Sequence, residues 1–208
     1  MAKRSVGRNQ ILKKIWIHYE GNRALKVGFR ALFGRLLPLN RIPKFVPGEA
    51  EPIRSFFNSI KSYPDHNHLL LIDSDKLVEE FSNKDLFEII RLRKDWKKRP
   101  KVSNDKLFFM IQSMEAWFLI DQQILIDYFG KQGFKKNALP KRVNTEEIEN
   151  PYTLLQTATE GTIKGEYNKT QHAPELLALI NTNKISEKTA PHCKRLFDAL
   201  TQKLQPLD

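Results

Sequence analysis

Two stretches decide the fold: IWIHYEG at residues 15–21 and LLLIDSD at residues 69–75. The first is a short apolar, aromatic and β-branched run and the second a continuous apolar one; both are too short for a helix and stop abruptly on an acid. A run that is apolar throughout, rather than alternating, predicts a strand covered on both faces, as in a parallel sheet. The chain between them supports that reading. Residues 23–37 (RALKVGFRALFGRLL) set Leu25, Phe29, Leu32, Phe33 and Leu36 at helical spacing until Pro38 ends the helix. IPKFV at 42–46 predicts a second strand, with a turn at Pro47-Gly48. Ile53, Phe56, Phe57 and Ile60 repeat at helical intervals within 49–62, and Pro64 stops that helix. Further on, residues 84–94 read as helix and KLFFMIQ at 106–112 as a fourth strand. The order β-α-β-α-β-α-β predicts an α/β fold: a mainly parallel four-stranded sheet flanked by helices.

In such sheets ligands gather beyond the carboxyl ends of the strands. The first strand ends in Glu20-Gly21 and the third in Asp73-Ser74-Asp75. If these strands are neighbours, three carboxylates meet on one edge. Two carboxylates about 4 Å apart repel by roughly 4 kcal/mol at an effective dielectric of 20, and a proton or a cation relieves that repulsion. Mg²⁺, which takes oxygen ligands and keeps several waters, suits such a site, and Mn²⁺ is its usual substitute. Glu20, Asp73 and Asp75 are therefore the candidate metal ligands. Capping of the following helix is the plainer role for Asp73 and Asp75, since Asp is a favoured N-cap. Gly21 either lets a ligand approach the backbone or serves an ordinary turn.

Beyond residue 130 the pattern changes. TEEIENPYTLLQTAT reads as a capped helix start and a helix, and EGTIKGEYNKTQHA (160–173) as a polar loop. PELLALI and PHCKRLFDALTQKL read as two more helices, with no strand expected. This divides the chain into an α/β domain over 1–130 and a C-terminal helical annex over 131–208 packed on it. In the loop, Lys169 can stabilise charge on a phosphoryl group, and His172 can act as a general acid or base. Tyr167 and His172 are also candidate nucleic-acid contacts. A solvated loop explains all three equally well.

The chain has 208 residues, 40% hydrophobic and 28% charged, enough for one buried core. Its one cysteine, Cys193, excludes an intramolecular disulfide and a cysteine zinc cage. No apolar run reaches the roughly 20 residues a membrane helix needs, so a cytoplasmic protein without membrane contact is expected. The net charge of +11 is clustered. Residues 1–50 hold 11 Lys/Arg against 2 Glu, residues 91–106 hold 8 against 2 Asp, and residues 131–142 hold 5 with no acid. Such clustering points to a polyanion partner, DNA or RNA first. Arg23, Lys26 and Arg30, on the helix after Glu20, are candidates to face phosphate; a solvated helix face explains them as well. A Gly-x-x-x-x-Gly-Lys-[Ser/Thr] loop is absent, which excludes a self-contained P-loop ATPase.

IWIHYEG followed by LLLIDSD resembles the Toprim domain of primases, topoisomerases and overcoming-lysogenization-defect-type nucleases. There a Glu after the first strand and an Asp-x-Asp after a later one hold Mg²⁺. Four further blocks, LKVGFRALF, SMEAWFLID, KGEYNKTQHAPELL and PHCKRLFDAL, resemble a bacterial Toprim-like family catalogued as a domain of unknown function (4276). Together the likeness spans about residues 15–200. RloB-like proteins of phage-defence loci share a Glu in an aromatic-rich block, and Glu115 matches that position. Lys76-Leu77 stands after Asp75 where replicative Toprim proteins carry Gly, which argues against a primase or topoisomerase.

The resemblance implies a Mg²⁺- or Mn²⁺-dependent nuclease of a bacterial defence or mobile-element system. Glu20, Asp73, Asp75, Glu115 and Lys169 would be its catalytic residues. An ATPase partner protein and a homo-oligomer are compatible with that setting. Two other readings stand beside it: a non-catalytic nucleic-acid- or partner-binding module with a degenerate acidic site, and a nucleotide or phosphate-ester hydrolase.

Overall fold

The computed structural model describes residues 14–49, 51–75, 86 and 102–203. Four strands, β1 (Ile15–Tyr19), β2 (Lys44–Pro47), β3 (Asn67–Asp73) and β4 (Leu107–Met110), form one sheet. Its order is β2-β1-β3-β4 and every pairing is parallel. Among the described residues the helices with defined bounds are α1 (Leu25–Gly34), α2 (Pro52–Ser62), α3 (Glu115–Phe118), α4 (Gln122–Phe129), α5 (Pro151–Thr159), α6 (Lys169–Leu179) and α7 (Pro191–Lys203). The helix expected over 84–94 lies outside the described residues apart from Leu86, as do residues 91–101 of the second basic cluster. Among the described residues no helix is long and apolar enough to cross a membrane.

The period-two alternation of the strands sorts side chains into two cores. Ile15, Ile17, Tyr19, Leu69, Leu71, Phe108 and Met110 face one side, where they join α1, α6 and α7 in the larger apolar cluster. Leu70, Ile72, Leu107 and Phe109 face the other, against Ile53 and Phe56 of α2. Every residue of β1 is buried, His18 included. The C-terminal helices share the larger core: Leu176, Leu177, Leu196 and Leu200 belong to the same cluster as the sheet residues. No strand follows Met110 among the described residues.

Two local readings are corrected. The polar segment 160–173 is not one loop, because α6 begins at Lys169. Asn168 caps it, its side chain accepting from the backbone N–H of Thr170 and Gln171, and Pro174 sits within the helix despite lacking an N–H. In TEEIENPYT a short 3-10 turn at Thr145–Glu147 comes first. Left-handed Asn150, at φ 50°, then separates it from α5.

α1 packs closely on α6. That packing depends on Gly28, where an added Cβ would stand 2.4 Å from the carbonyl oxygen of Pro174 and 2.8 Å from Cβ of Leu177. Gly28→Val is expected to cost about 1–3 kcal/mol through overpacking. It should lower the melting temperature by about 2–4 °C for each kcal/mol lost. Thermal denaturation that leaves this variant level with the parent would refute the close approach.

Candidate functional site

The parallel pairing of β1 with β3 puts their carboxyl ends side by side. Tyr19 is in register with Leu71, and the Glu20 N–H donates to the Leu71 carbonyl at 3.0 Å. The Asp73 N–H in turn donates to Oε2 of Glu20 at 3.2 Å. On the other side of β3, Asp73 is in register with Met110. The two chains continue their pairing past the strands: Ser74 N–H donates to the Met110 carbonyl and Asp75 N–H to the Gln112 carbonyl, each at 3.0 Å. Gln112 N–H donates to Oγ of Ser74 at 2.7 Å. Asp75 (φ 59°) and Gln112 (φ 54°) both adopt left-handed backbone, so the two chains turn off the sheet together. The Gln112 side chain then fixes the next segment, donating to the Ile148 carbonyl and accepting from Asn150 N–H.

This turn delivers α3 to the sheet edge. The Met114 N–H donates to Oδ1 of Asp73 at 3.0 Å, and Glu115 follows with 1% of its surface exposed. A carboxylate so deep needs partners. Tyr167, itself buried, donates its hydroxyl to Oε1 of Glu115 at 2.9 Å. Lys169, the first residue of α6, places Nζ 3.0 Å from Oδ2 of Asp73 and 3.7 Å from Oε2 of Glu115. Oε2 of Glu115 has no hydrogen-bond partner. Glu20, Asp73, Glu115 and Lys169 thus come from four distant segments to one edge of the sheet. Asp75 follows Asp73 by two residues and is exposed.

The electrostatics follow from that crowding. Burial, then the nearby Glu115 and Glu20 carboxylates, push the Asp73 carboxyl up to about 7; the Lys169 ammonium works against them. Burial on its own would lower the lysine, but Asp73 and Glu115 more than offset it and hold the ammonium above its usual range. Burial and then Glu115 push the Tyr167 phenol well up, so it remains a donor to that carboxylate.

The remaining candidates fall elsewhere. Lys26 and Arg30 lie exposed on α1 and Arg23 in the turn before it, paired to Glu49 at 3.5 Å. Tyr167 and His172 are only 1% and 3% exposed. Neither presents a surface that a polyanion can reach, which corrects their reading as nucleic-acid contacts. The His172 Nδ1 instead accepts from the Asn168 N–H at 3.0 Å, and its ring packs edge-on against Phe129. Both side chains brace the turn that carries Lys169. Sequence reasoning misses Gln112 and the Met114 N–H, because no periodicity marks them.

Glu20, Asp73, Asp75 and Glu115 supply hard oxygen donors of the kind Mg²⁺ takes. Oε2 of Glu115 is buried with no hydrogen-bond partner, so the site has a carboxylate oxygen that Lys169, at 3.7 Å, does not hydrogen-bond. In chemistry and charge the residues fit a divalent cation. No three His, Cys, Asp or Glu groups among the described residues stand in a ready-made cage.

The chain matches, over residues 9–201, the model of a family described as a domain of unknown function (DUF4276). Neither the curated proteins nor the solved structures yield a match.

Proposed function

The chain belongs to the DUF4276 family, and on that premise we propose that it is a Toprim-type, Mg²⁺- or Mn²⁺-dependent nuclease that hydrolyses phosphodiester bonds in DNA or RNA. The observation that carries this reading is the meeting of Glu20, Asp73, Glu115 and Lys169 at the carboxyl edge of a parallel sheet. Glu20, Asp73 and Asp75 would hold the metal, which when bound polarises a phosphoryl oxygen and makes a nucleophile available near neutral pH. Glu115 is fixed at Oε1 by Tyr167, which leaves Oε2 to take the proton of the attacking water. Lys169 offers an ammonium to the negative charge that grows on the phosphoryl oxygens. Lys26 and Arg30 lie on the exposed side of α1, which starts five residues beyond Glu20, and exposed Arg23 stands in the turn just before it. They give a polyanion a track leading to the site. The resemblance of the strand-end acids to Toprim nucleases of defence loci supports the same reading, with an ATPase partner and self-association as part of it.

Purified protein should cut plasmid DNA, single-stranded DNA or RNA in Mn²⁺ or Mg²⁺, and EDTA should stop it. A lysine already seated between Asp73 and Glu115 favours, as the second reading, a binding module that needs no metal. That module would bind nucleic acid in a salt-dependent, EDTA-insensitive way and cut none of the three substrates.

A further inference from the structure

Lys169 sits where a cation among these acids would sit. Its Nζ lies between Oδ2 of Asp73 and Oε2 of Glu115, and the Glu20 carboxylate adds to its stabilisation. The backbone that carries it is pinned on both sides. Tyr167 is buried against Glu115, and His172 is buried beneath the Asn168 N–H. The side chain is held by its ion pairs and is 32% exposed, while Asp73 is 11% and Glu115 1%. Four methylenes on a fixed backbone let the ammonium withdraw toward solvent without disturbing α6. Its departure would take a positive charge from two carboxylate oxygens, one of them, Oε2 of Glu115, buried and with no hydrogen bond.

We infer that Lys169 is the resident counter-ion of this site and yields to a divalent cation held by Glu20, Asp73 and Asp75, leaving Asp73 and Glu115 when the metal arrives, which frees Oε2 of Glu115, and turning outward to meet an anionic substrate. This deepens the nuclease reading and rests on it. The exchange explains why the acids do not form a cage while the lysine is seated. It also ties the readiness of the ammonium for phosphate to the presence of the metal, so the site presents its free cation only when loaded.

Two measurements with Mn²⁺ alone, in the absence of substrate, test the exchange. In the first, lysines of the full chain are labelled with an amine-reactive reagent and read by mass spectrometry, with exposed Lys26 as the internal reference. Labelling of Lys169 is expected to rise at least tenfold on adding Mn²⁺. In the second, the rise in melting temperature with Mn²⁺ concentration gives the affinity. Lys169→Met is expected to bind at least tenfold more tightly than the parent, and Lys169→Arg, which keeps the charge, no more tightly. Should Mn²⁺ stabilise the parent while Lys169 labelling stays flat and Lys169→Met gains no affinity, the exchange is overturned and the metal reading survives. If Mn²⁺ stabilises neither parent nor variant, both fall.

Discussion

Asp73→Asn is expected to lower the metal-dependent cleavage rate by about 10³-fold or more, the scale on which well-placed charge stabilises a transition state, while making the protein more heat-stable at pH 8. The two effects share one cause. Burial and the neighbouring Glu115 and Glu20 drive the Asp73 carboxyl up to about 7 in the folded chain, whereas an unfolded Asp titrates near 3.9. Between those values the native state holds a proton that the unfolded state has released, so this group makes stability fall as pH rises. The penalty is absent below about pH 4, grows up to about pH 7 and is constant above it. Its full size is roughly 4 kcal/mol at 1.36 kcal/mol for each unit of difference. Asn keeps the acceptor for the Met114 N–H but forfeits the ion pair with Lys169, so only part of that is recovered. In EDTA the melting temperature of Asp73→Asn should therefore match the parent near pH 4 and exceed it by several degrees at pH 8. Cleavage equal to the parent would refute the nuclease reading. A melting temperature lowered equally at both pH values would assign Asp73 to holding the fold.

The sheet is legible in the sequence because each strand centres on a short apolar run near a breaker, and burial on both faces leaves no other place for LLLI or LFFM. Glu20 and Asp73 are legible for the same reason: they are the first charges after such runs, and parallel pairing fixes which edge they share. Glu115 stands out as a lone acid within an aromatic block. The segment 160–173 hides more. Asn168 is a recognisable cap, but Pro174 masks the helix it starts. Tyr167 and His172 read as solvent contacts because their burial is non-local, being made by rings from other segments: Tyr152 of α5 lies 5.5 Å from Tyr167 and Phe129 of α4 lies 5.1 Å from His172. Glu146 shows the limit most clearly. Within TEEIEN it has the look of a local cap, yet its partners lie 46 and 47 residues further on.

Glu146→Ala should then be the most destabilising single change in the C-terminal helices. The carboxylate is fully buried and gathers the first turn of α7. Oε1 accepts from His192 N–H at 3.0 Å and Cys193 N–H at 3.2 Å, and Oε2 lies 2.7 Å from Nδ1 of His192. These backbone donors have no partner within the helix, because they precede its first turn of intrahelical bonds, and a negative charge there also meets the positive end of the helix dipole. Truncation removes every acceptor at once and leaves donors buried beside Cys193. Breaking such a buried, charge-assisted set costs about 3–5 kcal/mol, which for a chain of this size is a fall on the order of 10 °C in melting temperature. Because α7 packs Leu196 and Leu200 into the same core as β1 and β3, the loss should appear as one cooperative transition at lower temperature. Glu146→Gln keeps an oxygen acceptor and should lose less than half as much. A Glu146→Ala protein that melts within 2 °C of the parent, an interval worth about 1 kcal/mol at most, would show that α7 is held by its apolar face alone.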